Sequence, residues 1–438
     1  MKKGYFLYKG TSKQIFALPP GWKIREYTHF PETTSETPVG DLVRHALDHP
    51  TGTRRLSQLA QKNMTVAIIV DDPARATPVA QMLPPVLQEL LAAGIAGKNI
   101  TIVIALGTHR FASQEELEVK IGKDVLKEYG VVQHNCHAEN LVPIGKLLTG
   151  GVVAIDPVVA GAGLKIGIGS IFPHPMNGFG GGAKILFPGV ADFASISEHH
   201  FHYTPEPGCV LGNTEDNPFH KEVCRMAEAT GLDFIVNGIF DARERVVDVV
   251  AGHYEKAHLK GIEISKRNYG FQLKEPADIT LVSADPYDEG PQLMKPIIPA
   301  SLMTTKPGGT VIVLARCPDG MPDAMLEAFD RVFGSSPEHL GRFAVNAFKT
   351  SQIMAEGAID FNCAIFFALV CASRSRIIVV SDDLNTRSVN RLGFAYAPSL
   401  QAAIDREREK QPEATVNIFP LGGLLLPMTA SLPRLYEF

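Results

Sequence analysis

Thr65-Val-Ala-Ile-Ile-Val-Asp-Asp72, then helical spacing from Thr77 to Gly94, then Asn99-Ile-Thr-Ile-Val-Ile-Ala-Leu106 is the stretch that decides the fold. Both apolar runs are β-branched and lack an in/out alternation, as expected of strands buried on both faces of a parallel sheet. The segment between them is long enough to be the crossover helix, and Gly94 stands where a helix end needs a left-handed residue. Ser113-Gln-Glu-Glu116 has the form of a capping box and predicts a helix ending near Gly130. Working outward, strands are expected at 151–155, 164–168 and 234–240, with a helix around 218–231. Upstream, the first sixty residues read as two strands and a short helix from Pro38 to His49.

After Arg267 the same rhythm restarts, with strands at 278–284, 309–315 and 376–381 and helices at 290–305, 321–333 and 400–410. Alternation of this kind argues for sheets covered by helices on both sides. The fold class expected is therefore α/β: two α/β domains with mainly parallel sheets and an active site in the cleft between them. The expected boundaries are 1–265 for the N-terminal domain and 275–412 for the C-terminal one. The joint lies near 262–277, and 413–438 is expected to pack back on the N-terminal domain. Ligands of such sheets sit where strands give way to loops, which singles out 71–78, 107–110, 172–184 and 286–295.

Composition narrows the class of partner. The 438 residues are 45% hydrophobic and 20% charged, an ordinary globular balance. Lys+Arg 42 against Asp+Glu 47 gives a net charge of −5, so no basic excess exists to neutralise a nucleic-acid backbone. The N-terminal residues lack the apolar run and cleavage pattern of a secretory signal, and no apolar stretch reaches the ~18 residues of a membrane span. Six cysteines, none in CxxC spacing, read as reduced thiols. These features point to a cytoplasmic protein acting on a small molecule, without nucleic-acid or membrane partners.

The densest motif is Pro173-His174-Pro175-Met176-Asn177-Gly178-Phe179-Gly180-Gly181-Gly182-Ala183-Lys184. Glycines 180–182 would bring bare backbone N–H groups close to a ligand, and anions are the usual guest. It is not a Walker loop, because Ala183 precedes the lysine and Ile185 follows it. Glu198-His-His-Phe-His-Tyr203 places three imidazoles within four positions, a metal signal without HExxH or CxxC support. His134-Asn-Cys-His137 is read as a surface loop. Arg75, in a strand-to-helix turn, is placed like a clamp for a carboxylate or phosphate.

Taken together, the chain resembles the nickel-pincer lactate racemases and their 2-hydroxyacid racemase and epimerase relatives. The resemblance rests on Asp-Asp-x-x-Arg-x-Thr-Pro at 71–78, Gly-Thr-His-Arg at 107–110, Pro-His at 173–174, Gly-Phe-x-Gly-Gly-x-Lys at 178–184 with Pro188-Gly189 after it, and His200. Gln292-x-x-Lys295 extends it into the second half. It implies a nickel-pincer nucleotide, a pyridinium-3-thioamide-5-thiocarboxylic acid mononucleotide, covalently linked to Lys184, with nickel bound by His200. It further implies His109 and His174 as acid/base pair, and Arg75, Lys295 and Gln292 as substrate contacts. Asp72 and Gly180, Gly181 and Gly182 would lie against the cofactor, and accessory enzymes would be needed to make it.

The implied reaction suits these residue types. The C2–H of a 2-hydroxy acid is a poor proton donor, because ionisation would put charge beside a carboxylate. Removal as hydride, with a base taking the hydroxyl proton, gives a ketone instead, and return to the other face inverts the centre. A histidine pair, each ordinarily titrating near about 6.5, can alternate as base and acid. Two departures from the lactate enzymes bear on substrate size: the single tryptophan is Trp22, none stands around 348–352, and Pro73-Ala74 replaces His-Thr. A larger, dicarboxylic or sugar-derived 2-hydroxy acid is therefore in scope beside lactate. Two other classes fit parts of the sequence: a zinc-dependent hydrolase built on Glu198–Tyr203, and a non-catalytic anion-binding protein of two domains.

Overall fold

The computed structural model describes residues 4–28, 30 and 36–429. The chain divides into two compact units. One comprises Glu32–Tyr203 and Asn213–Asn268; the other draws on Met1–Pro31, Thr204–Gly212 and Tyr269–Phe438.

The first unit is built on a six-stranded sheet in the order Val246–Gly252, Phe234–Phe240, Leu164–Ile171, Val66–Asp71, Ile100–Ala105, Gly130–Gln133. Every pairing is parallel except that of the edge strand Val246–Gly252, which runs antiparallel to Phe234–Phe240. Strand Val66–Asp71 lies central, with Val70 opposite Ile104 on one side and Ile168 on the other. The chain adds Ile100–Ala105 on one flank, then returns to add Leu164–Ile171 on the opposite flank. Strand order thus reverses beside Val66–Asp71, the switch point at which open α/β sheets bind ligands.

Helix Val79–Ala92 covers one face through Val79, Met82, Leu83, Val86 and Leu90, all fully buried against Val66, Ile68 and Ile102. It ends as expected, with Gly94 at φ +91°. The capping box is also present: Ser113 Oγ accepts from Glu116 N at 3.2 Å, and Glu116 Oε2 accepts from Ser113 N at 2.7 Å. That helix stops at Ile121, and a second short one, Lys123–Glu128, completes the stretch to Gly130.

The second unit has its own six-stranded parallel sheet, ordered Ala395–Ala397, Arg376–Val380, Thr305–Leu314, Ala277–Ser283, Ala414–Phe419, Trp22–Tyr27. This corrects the expected domain limits at both termini. Trp22–Tyr27 pairs in parallel with Ala414–Phe419, and Leu426–Met428 pairs with Gly270–Gln272, so the N-terminal strands and the described part of the C-terminal segment both belong to this unit. The physical reason is edge satisfaction, since each strand completes a ladder that would otherwise end in unpaired backbone. The expected joint also shifts, because helix Lys256–Tyr269 occupies its first half. Trp22 is buried, and its Nε1 donates to the Gln411 carbonyl at 2.9 Å, a structural role. Among the described residues no helix is long and apolar enough to cross a membrane.

Candidate functional site

Three loops leave the carboxyl ends of three adjacent parallel strands of the first unit: 72–78, 107–113 and 172–184. They carry Asp72 and Arg75, His109, and His174 and Lys184, so the sheet gathers residues that lie more than a hundred positions apart.

Asp72 is 5% exposed. Its Oδ1 accepts from Ala74 N at 2.7 Å, while Oδ2 lies 3.1 Å from His109 Nδ1 and 3.5 Å from Arg75 Nε. Burial would push this carboxyl up, but the Arg75 guanidinium, and after it the His109 hydrogen bond, hold it well below the usual carboxylate range. An ionised Asp72 accepts the His109 Nδ1 proton, which leaves Nε2 with its lone pair. The carboxylate expected against a cofactor is therefore placed as the orienting partner of His109.

His174 has a different environment. It sits on a two-residue strand opposite Gly178. Its Nδ1 accepts backbone N–H bonds from Met176 at 3.3 Å and Asn177 at 3.1 Å, and its Nε2 lies 2.7 Å from Lys184 Nζ. With Nδ1 taken up by the backbone and Nε2 facing the Lys184 ammonium, which has only N–H to offer, this ring meets donors at both nitrogens. The two histidines thus differ at Nδ1: a carboxylate backs His109, and backbone N–H groups back His174.

Lys184 lies on the 3-10 turn Gly182–Ile185. The turn is seated because Gly167 has no side chain: a Cβ there would come within 2.5 Å of Ile185 Cγ2. The glycines before it act otherwise than expected. Gly180 N donates to the Phe172 carbonyl at 2.7 Å and Gly182 N to Asn237 Oδ1 at 2.8 Å, so these two N–H groups serve the loop itself rather than a guest. Gly181 and Gly182 hold φ +77° and +59°, the left-handed region that favours glycine, and His258 Nε2 bonds the Gly180 carbonyl at 2.8 Å. Asn237 and His258 were missed by sequence reasoning. Asn237 sits inside an otherwise apolar strand, Phe234–Phe240, and that interruption was the available signal.

His200 lies on helix Phe193–Tyr203. Its Nδ1 is 2.9 Å from the Ile196 carbonyl, and burial followed by the charge of Lys184 pushes the imidazole down to about 3. It is a neutral ring with Nε2 available as a donor, the form that ligates metals. Its neighbours do not join it. His199 is fully buried among Phe187, Tyr203 and Phe219, with Nε2 at the Phe219 carbonyl, and His202 is exposed. Glu198 accepts from Gly151 N at 3.0 Å. Among the described residues no group of three or more His, Cys, Asp or Glu is gathered as a metal cage. The hydrolase reading of 198–203 therefore lacks its donor set. His134, expected on the surface, is 1% exposed, with Nε2 bonded to the Ala191 carbonyl at 2.8 Å.

In the other unit Lys295 donates to Gln292 Oε1 at 3.2 Å, and its Nζ lies 3.2 Å from the centroid of the Tyr287 ring. Helix Leu340–Lys349 carries Phe348, which packs on Phe366 at 4.5 Å between centroids.

Behind the glycine loop, His220 and His258 are pushed down by burial to about 3 and about 4. Unfolded imidazoles titrate near about 6.5, so on acidification the unfolded chain takes up these protons first. Their contribution to stability is complete above that value and is lost as pH falls towards about 4 and 3. The expected result is a thermal midpoint that drops steadily from pH 7 to 4, with these two groups costing on the order of a few kcal/mol. A midpoint flat over that range would contradict the burial of neutral rings.

A family model described as the lactate racemase N-terminal domain matches residues 9–212. A lactate racemase of Thermoanaerobacterium thermosaccharolyticum is 34% identical over 390 residues, covering 87% of this chain and 89% of the relative. One from Lactiplantibacillus plantarum is 28% identical over 389 residues, with the same coverage of 87% and 89%. The solved structure of the lactate racemase apoprotein from T. thermosaccharolyticum aligns with a TM-score of 0.85 at 28% identity, covering 98% of this chain and 100% of that one. A Thermotoga maritima crystal structure, 15% identical with a TM-score of 0.62, covers 92% of this chain and 100% of its own and shares the fold.

Proposed function

The chain belongs to the lactate racemase family, and on that premise we propose that it racemises or epimerises a 2-hydroxy acid, lactate or a larger relative, by proton-coupled hydride transfer. The observation that carries this reading is the grouping at Lys184: His174 Nε2 stands 2.7 Å from its amine, and the buried neutral His200 feels its charge.

The residues fit a tethered nickel-pincer nucleotide. One amine is in place to be acylated, and one neutral imidazole is in place as a ligand. No protein cage among the described residues competes for the metal; a soft-donor group would bring the remaining ligands itself. When bound, the nucleotide and its nickel would take the C2 hydrogen with its electron pair and give it back.

The protein's own share is orientation and proton movement. Arg75 would hold the substrate carboxylate, its guanidinium steadied by Asp72. His109 Nε2 would accept the hydroxyl proton, and Asp72 at Nδ1 stabilises the imidazolium that results. His174 would serve as the partner acid and base from Nε2. Lys295 and Gln292 are assigned to the substrate as well.

The test is chiral chromatography of a 2-hydroxyacid panel, comprising lactate, dicarboxylic acids and sugar acids, with protein matured by its accessory enzymes. Conversion of each C2 epimer of one acid to a mixture of both is expected, an equal mixture where the two are enantiomers. A matured protein that leaves every acid optically unchanged would reject the reading.

A further inference from the structure

Lys120 is a lysine on a buried face. It follows Leu117 and precedes Ile121 on helix Gln114–Ile121, and all three are buried, Lys120 at 6% exposure. An ammonium has three N–H donors, and here three acceptors stand around it. Asp71 Oδ1 is at 2.8 Å, the Arg75 carbonyl at 2.9 Å and the Thr77 carbonyl at 3.1 Å. Asp71 is tied in turn through Oδ2 to the Thr77 hydroxyl at 2.5 Å, and that hydroxyl pairs with Ser170 Oγ at 2.9 Å. Burial pushes the Asp71 carboxyl up, and Lys120 is the largest influence opposing it.

Two anchors therefore act on one turn. The entry is held by Asp72, whose side chain accepts from Ala74 N and whose carbonyl accepts from Arg75 N at 3.0 Å. The exit, from Arg75 to Thr77, is held by Lys120. We infer that Lys120 is a positioning residue for the carboxylate-binding arginine: it fixes the main chain of Arg75 from beneath while touching no substrate. The inference deepens the function proposed above and rests on Arg75 binding the substrate carboxylate. It also explains why a charge is buried at this point. Main-chain carbonyls leaving a strand end have no ladder partner, and only a long cation reaches two of them and a carboxylate together.

The experiment uses the full-length matured protein. Lys120→Met would leave Asp71 buried without its counter-charge, so the informative variant is Lys120→Met with Asp71→Asn, which removes both charges. It is expected to melt within a few degrees of wild type, yet to raise KM roughly tenfold or more with kcat within about threefold. Added to Arg75→Ala, the same pair should change kcat/KM by less than about twofold, because the arginine it serves is gone. A normal KM in the double variant, or effects that multiply on the Arg75→Ala background, would overturn the inference.

A second readout does not depend on turnover. Amide hydrogen exchange across 72–78 should rise at least about tenfold in the double variant, with helix Val79–Ala92 unchanged. If matured wild type racemises no acid, the functional reading fails and this measurement alone decides. Unchanged protection at 72–78 would then reject Lys120 as the anchor.

Discussion

Lys184→Ala is expected to abolish racemisation, by at least about a thousandfold, while the protein remains folded. The side chain is half-buried on a short turn. Intact-mass analysis of matured protein should show an adduct on wild type and none on the variant. His200→Ala should lose activity to the same degree for a different reason: the adduct stays on Lys184, but nickel measured by elemental analysis falls away. The two variants thus separate attachment from metal retention. Full activity with a bare Lys184 would end the proposal, whatever the chiral assay showed.

The second large effect concerns the proton carriers. His109→Ala and His174→Ala should each retain adduct and nickel but lower kcat by about 10²–10⁴. If a variant sheds the cofactor instead, that histidine is a ligand and not an acid or base. Mirror-image substrates have equal free energies, so kcat/KM must fall equally in the two directions whichever ring is removed. The individual kcat values need not, because Asp72 backs one ring and two backbone N–H groups back the other. Asp72→Asn should act in the same direction as His109→Ala and more weakly, since the base survives but loses its orienting charge.

Much of the first unit was legible because its signals are local. The runs at 66–71 and 100–105 are rich in Val, Ile and Thr, and Ser113 with Glu116 spells a helix start within four residues. The loops after those strands could be named as ligand-binding from topology alone. What escaped was non-local. Nothing in Trp22–Tyr27 announces a partner at Ala414–Phe419, almost four hundred residues on, so the termini went to the wrong unit. The histidines of 199–202 looked equivalent as letters. Helical geometry separates them, sending one into an aromatic core, one to a carbonyl within its own helix, and one to solvent. Lys120 was overlooked because a lysine is read as surface, although its spacing from Leu117 and Ile121 places it inward. The glycines were read as an open cradle, since composition shows flexibility but not which amides are already engaged.

That last point bears on assembly. Two amides of the 180–182 stretch already bond Phe172 and Asn237, and a ring from helix Lys256–Tyr269 clasps the Gly180 carbonyl. The curl beneath Lys184 is thus cast by the scaffold in advance. An incoming prosthetic group would meet a finished socket, and loading would carry little ordering cost. Calorimetry of maturation should accordingly lack the large negative heat-capacity change that marks folding upon binding.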